Sequence, residues 1–456
     1  MKRFGWQWLA VSSLLLTASL AGAATRPLYG GTAHVAIREA PGSLDPADTA
    51  QADSFARRNV MALIFETLVT LDDGGRTRPA LAISWQAAPG NQRWQFRLRP
   101  GIRFHDGSAL TAEIAAASLR ASNPSWNVLA DGDSVVIERD APDGDVPAEL
   151  GLWRNAIVKR NAGKLSGTGP FHIEDWQTGK KLTLRAEENY WRGRAFVDAV
   201  EIEMGKNFHD QLIALELGKA DLVEVASEQA HRVAMEGRDV ESSQPVELVA
   251  LTFMREAQSP EEKLLREALA LGVERASIRS VLLQGAGQPT AGILPNWMSG
   301  YAFVFPAEAD LPRARHQREL AKIVPNWTIG YDSNDSIEGL LAERIALNAK
   351  DAGLNLLPTK SAAAVLQMVR IPLASTDPWI ALGGVAAVAG VAMPKINGTS
   401  VEDLYHAEQT ILASRRMIPL FHLPASYAVS PAVKDWAPGA DASWHLADAW
   451  LGTEKP

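Results

Sequence analysis

The 456-residue sequence contains no cysteine. Disulfide frameworks, thiolate metal sites, cysteine nucleophiles and lipid attachment through an N-terminal cysteine are therefore excluded. Such a chain suits an oxidising compartment, where a stray thiol mispairs. Charge of one sign is not concentrated either: Lys and Arg number 45 against 53 Asp and Glu, a net charge of −8, and no basic run occurs. A nucleic-acid partner needs a compensating basic patch, so none is expected. Long apolar runs are missing. Residues 9–20 and 380–393 come closest, and both fall short of the about 20 residues that span a bilayer; Gly383, Gly384 and Gly390 break the second. Catalytic signatures are scarce as well. There is no Gly-x-Ser-x-Gly, no His-Glu-x-x-His and no phosphate loop ending in Gly-Lys-Ser/Thr. Gly285-Ala286-Gly287 lacks a third glycine and reads as a turn. The acids Asp140, Asp143, Asp145 and Glu149 are interrupted by Pro142 and Pro147, which does not fit the twelve-residue calcium loop. No cofactor and no metal site is expected.

What is present begins with an address. Lys2 and Arg3 precede the apolar residues 9–20, and Ala21-Gly22-Ala23 supplies small residues where a signal peptidase reads. A signal peptide over residues 1–23, cleaved after Ala23, is expected; its loss takes the net charge to −10. The mature chain is then expected to be soluble and exported. Its length corresponds to roughly three domains at about 150 residues each. With 46% hydrophobic residues, it can bury a sizeable core.

The pattern along the chain is mixed. Trp94, Phe96 and Leu98 alternate with polar residues, the period of a half-buried strand, and Pro100-Gly101 and Asp106-Gly107 turn the chain. Thr111 is placed to cap a helix over 112–119, with Glu113 in its first turn. Residues 135–137, 181–185 and 200–204 read as strands, and 211–217 as a helix ending at Gly218. Ser259-Pro260-Glu261-Glu262 combines a capping box with proline at the first helical position. Asp335-Ser336-Ile337-Glu338 repeats the capping pattern between strand-like 328–331 and 354–357. Strand, helix, strand implies a parallel pair joined by a crossover. Residues 401–412 read as a helix and 417–422 as a strand.

Aromatic residues stand out. Of 14 Trp, 12 remain after the leader is removed, and Trp297, Trp379 and Trp436 sit beside prolines in loop-like contexts. Tryptophan offers a flat apolar face and one donor, which suits ligand walls.

The stretch Arg78-Pro-Ala-Leu-Ala-Ile-Ser-Trp85, then Trp94-Gln-Phe-Arg-Leu-Arg-Pro-Gly-Ile-Arg-Phe-His-Asp-Gly107 and Leu110-Thr-Ala-Glu113, resembles the signature of the family 5 extracellular solute-binding proteins. These are the peptide-, nickel- and glycan-binding components of ABC importers. Gly42-Ser-Leu-Asp-Pro46 and Phe65-Glu-Thr-Leu-Val69 before it, and Gly167-Thr-Gly-Pro-Phe171, Asn189-Tyr-Trp-Arg-Gly193, Leu265-Arg-Glu-Ala-Leu269 and Ile418-Pro-Leu-Phe-His422 after it, come in the family's order. The resemblance implies a periplasmic-binding-protein-like α/β fold (type II, cluster C), two α/β lobes around a cleft with an extra domain in the first lobe. Lobe one would take residues 28–50, 166–250 and 417–456, the extra domain 51–165, and lobe two 251–416. It implies capture of a small-molecule or short-peptide ligand and delivery to an ABC permease, by a monomer that catalyses nothing.

The sequence departs from the family at the segment that can hold a peptide's ammonium group. Here it reads Ala374-Ser375-Thr376-Asp377-Pro378, without the first acid and the aromatic. An ammonium buried without a carboxylate partner costs several kcal/mol. Asp377 is therefore the expected anchor, with Trp379, Phe253, Trp297 and Phe421 as walls. Two alternatives are a periplasmic hydrolase and a degenerate binder serving as an adaptor or chaperone.

Overall fold

The computed structural model describes residues 26–452 apart from 52, 142, 143, 162, 302–304, 323, 336 and 397. The signal peptide expected over 1–23, Pro142 and Asp143 of the acidic loop, and Ser336 of the second capping pattern lie outside the described residues.

The alternation around Phe96 becomes the strand Arg93–Leu98. It pairs antiparallel with Ala82–Ala87 on one side and Ser134–Glu138 on the other, and Asn127–Asp131 completes the small sheet. Thr111 accepts from the Ile114 backbone N–H and starts the helix Ala112–Ser122. That helix lays Ala115, Ala116 and Leu119 on Phe96, Val135 and Ile137, closing a core whose members run from Leu68 to Ile157. The helix Phe55–Ile64 packs Val60, Met61 and Ile64 into the neighbouring core with Val35, Leu184 and Val200.

Eleven strands of the described residues join one mixed sheet. In its first half, Thr32–Ala36 lies between Ala199–Glu203 and Leu222–Val225, all parallel. In its second half, Asn326–Gly330 lies parallel to Asn355–Thr359 and to Leu366–Pro372. The helix Glu338–Asp351 joins the first two of these, as the strand-helix-strand pattern requires.

Two long strands, Asp239–Phe253 and Met417–Val429, run antiparallel through the middle and serve both halves. Residues 426–429 pair with Leu222–Val225 in the first half. Residues 247–253 pair with Leu366–Pro372 in the second. Between them Pro245 stands opposite Pro424, with register shifts on both sides of it. Neither proline has an N–H to give, so the ladder is weakest at that point.

Alternation along Asp239–Phe253 sorts its side chains. Val249, Leu251 and Phe253 enter one core with the helices Pro260–Gly272 and Glu338–Asp351. Leu248 and Ala250 enter the opposite core with Pro378–Ala389 and Val401–Ala413. The run at 380–393 is thus a core helix that ends in left-handed Gly390. Among the described residues no helix is long and apolar enough to cross a membrane.

Two capping expectations change in detail. Ser259 caps its helix at the Glu262 N–H, but the Glu262 carboxylate turns to Gln258 N, Arg255 and Arg266 instead of closing a box. The fully buried Arg266 requires that counter-charge. Asp335 accepts from the Ile337 N–H at 3.1 Å and Glu338 from the Asp332 N–H at 2.8 Å, so the helix begins at Glu338 without a side-chain cap. Trp297 and Trp379 do not lie in loops; they open the helices Asn296–Ser299 and Pro378–Ala389.

Three sequence motifs meet at one carboxylate. Thr168 Oγ1, Tyr190 Oη and Trp191 Nε1 all donate to Glu66, at 2.9, 2.8 and 2.9 Å. The small body is riveted to the large sheet there.

Candidate functional site

Parallel strands present their carboxyl ends on one edge, where open α/β sheets bind ligands. Here the ends from both halves meet. Thr32–Ala36 leads into Arg38 and Glu39, Leu222–Val225 into Glu228, Asn326–Gly330 into Asp332 and Asp335, and Leu366–Pro372 carries Arg370. Arg370 bonds Glu247 at 2.5 Å and Asp335 at 2.8 Å. Burial works against its charge, but Glu247 and Asp335 outweigh it and hold Arg370 firmly protonated. Arg38 reaches across from the first half and stands 3.8 Å from the same Asp335 oxygen.

A second bridge lies alongside. Arg58, paired with Asp53, donates to the backbone carbonyls of Pro372 and Leu373, the former at 3.1 Å. Thr376 Oγ1 donates to the Asp72 carbonyl at 3.0 Å. Gly75, at φ +74°, lets the 72–76 turn close on this segment: a Cβ there would lie 2.7 Å from the Thr376 carbonyl oxygen.

The five expected site residues separate. Asp377 Oδ1 accepts from the Trp379 and Ile380 N–H groups and caps Pro378–Ala389. Burial raises its pKa above the ordinary aspartate value. Trp379 follows on that helix, partly buried against the core of Leu248 and Ile371. Trp297 donates to the Pro245 carbonyl at 2.9 Å, where the two sheet halves join. Phe253 and Phe421 are fully buried and present no surface to a ligand. Phe253 is wedged between Trp327, with ring centroids 5.2 Å apart, and the Arg266 guanidinium. Phe421 enters the same core as its neighbour Leu420, at the register shift opposite Val249 and Ala250, so simple alternation does not sort that strand. Sequence reading missed Arg38, Glu228, Glu247, Asp335 and Arg370. The available signal was charge inside or just after apolar strands, as in Arg370 within LQMVRIP.

Burial pushes Glu338 up to about 7. It does the same to Glu408, which is pushed to about 7 although Tyr301 Oη and the Ile293 and Leu294 amides donate to it. In the unfolded chain both titrate near 4.5. A folded value above the unfolded one means that the stabilisation is complete below the unfolded value and is lost as pH rises through the folded one. Each group should therefore cost about 2 kcal/mol of stability between pH 5 and 7. Urea unfolding at pH 5, 6, 7 and 8 checks this; Glu338→Gln and Glu408→Gln should each flatten the profile.

Comparison with known proteins identifies the frame. Residues 76–360 match the family model of bacterial extracellular solute-binding proteins, family 5. The chain belongs to family 5 of the extracellular solute-binding proteins. Among relatives of this family 5 protein, the nickel-binding protein NikA of Staphylococcus aureus is 23% identical over 64% of this chain and 69% of its own. The oligopeptide-binding protein AppA of Bacillus subtilis is 23% identical over 66% of this chain and 59% of its own. The match thus spans about three fifths to two thirds of those relatives. A dipeptide-binding protein of Pseudoalteromonas, solved with Met-Leu, superposes with a TM-score of 0.79 at 14% identity, covering 92% of this chain and 100% of that one. This family 5 chain therefore has the type II periplasmic-binding-protein fold, mixed α/β with one large sheet.

Proposed function

We propose that the protein captures a small solute between two α/β lobes and delivers it unchanged to an ABC permease. The lobes would be the two sheet halves: residues 28–50, 166–250 and 417–456, with the helix Phe55–Ile64, against 251–416. The small body centred on the core from Leu68 to Ile157 would be the extra domain, and the site of action the periplasm. The observation that carries this reading is the set of contacts across the junction, from Arg58 to Pro372 and Leu373, Thr376 to Asp72 and Arg38 to Asp335. They bridge bodies whose sheet halves are joined, among the described residues, by two long strands interrupted at Pro245 and Pro424. Opening would bend those strands there and break a few polar bridges, while each core stays packed. A solute that touches both lobes shifts the population toward the closed form by its differential affinity. Nickel, oligopeptide and dipeptide are named for relatives, so solute capture is the shared property and the cargo has to be read from the site.

A thermal-shift screen with peptides and small solutes, followed by mass spectrometry of co-purified material, tests the reading. A bound solute should raise the unfolding midpoint and shrink the radius of gyration in solution scattering. Turnover of a solute, or stabilisation without contraction, would contradict it. Gly75→Val should weaken binding about tenfold, because its added Cβ collides with Thr376 only when the lobes meet. Calorimetry with the solute so identified reads that loss.

A further inference from the structure

The junction contains more carboxylate than its cations neutralise. Glu228, Glu247, Asp335 and Glu338 surround Arg370, and Arg38 is the only other guanidinium that contacts any of them through an ion pair among the described residues. Arg370 spends its donors on Glu247 and Asp335. Glu228 is left over. It is 7% exposed, and no side chain among the described residues donates a hydrogen bond to its carboxylate. The charges facing it are Arg370, Asp335 and Glu247, two of them negative. A carboxylate buried with no side-chain donor and two like charges beside it is costly, and a protein keeps one where something else supplies the positive charge.

Arg38 shows what that something resembles. Its guanidinium donates no hydrogen bond among the described residues. It stands 3.8 Å from Asp335 and over the Phe208 ring, 5.3 Å from the ring centroid. A planar cation is therefore already accommodated between an aromatic ring and the acidic group, and it is held loosely. Arg38 also rides on the first half while Asp335 belongs to the second, so opening the junction uncovers the acids.

We propose that this junction binds a planar cationic group of the cargo, a guanidinium, between Glu228 and Asp335, and that the cargo displaces Arg38. The proposal rests on the solute-binding reading above and deepens it by naming the chemical class. The cation would receive Glu228 and the Asp335 oxygen that Arg38 now shares with Arg370. The other polar bridge would not compete, because Arg58 is already satisfied by Asp53 and two carbonyls.

The test uses the full purified chain with L-arginine and agmatine as probes and L-citrulline as the control, in which a neutral urea replaces the guanidinium and the α-ammonium is kept. Calorimetry should show arginine or agmatine binding at least about tenfold more tightly than citrulline. Glu228→Gln should lower that affinity about tenfold or more, while the ligand-free unfolding midpoint holds or rises, since an unpaired buried charge has been removed. A merely structural Glu228 would instead lower the midpoint and leave affinity alone, which overturns the proposal. Equal binding of citrulline, or no binding of either cation, also overturns it. A neutral or anionic solute that closes wild type and Glu228→Gln alike would remove the cationic class and leave solute capture standing. Turnover of a probe would remove both.

Discussion

Replacing Arg370 with methionine should lower the unfolding free energy by about 3 kcal/mol. Its side chain bonds Glu247 through both Nε and Nη2, at 3.0 and 2.5 Å, and Asp335 through Nη1 at 2.8 Å. Both carboxylates are largely withdrawn from water. Methionine matches the stem but not the charge, so Glu247, Asp335 and Glu228 would face one another with only Arg38 nearby. The cost is set by the stranded acids and not by the lost attraction, because truncating one partner of a buried pair leaves the other uncompensated. Adding Glu247→Gln to the same chain should recover a substantial part of the loss. Urea unfolding of the single and double variants at pH 7 decides the matter. A single variant within about 1 kcal/mol of wild type, the range of an exposed ion pair, would mean that water screens the junction.

Gly167→Ala should be comparably damaging, by about 3 kcal/mol, for a different reason. The glycine faces the end of the helix Phe55–Ile64, and a Cβ on it would stand 1.9 Å from the Ile64 carbonyl oxygen. That oxygen also accepts the Gly169 N–H at 3.0 Å, so it cannot retreat without giving up the bond. A Cβ on Gly169 would also collide, 2.6 Å from the Ile64 carbonyl carbon. Neither position has a positive φ; close approach of two backbones alone requires glycine here. Loss of soluble yield and a lower unfolding midpoint are the expected readouts. Gly163→Ala, in a turn where a Cβ meets nothing within 4 Å, is the comparison that isolates the clash from turn strain.

Much of the local structure was legible because it depends on near neighbours. Thr111, Ser259 and Gly218 mark helix ends in the sequence, and each does so in the structure through one backbone bond or one left-handed residue. The parallel pair around Glu338–Asp351 followed from periodicity alone. The strand Asp239–Phe253 was not read, since its second half is buried on both faces and shows a continuous apolar run where alternation was sought. Pro245 in its middle sits at a register shift where no N–H is needed.

The candidate site was less legible than the fold. Asp377 and Trp379 were singled out beside Pro378, and the structure shows the aspartate occupied with capping its helix. Phe253 and Phe421 looked available only because the sequence does not say which face of a doubly covered strand a residue takes.

The ordered motifs, the missing cysteines and the helix-start residues by themselves determined the family and the α/β class, because each is a local or compositional property. Tertiary structure alone decided that Arg38, Glu228, Glu247, Asp335 and Arg370 would share one junction. Those residues come from five strands or strand ends, and strand order and register brought them together. A charge's partner is fixed by which strand lies beside it, a fact that no stretch of neighbouring residues records.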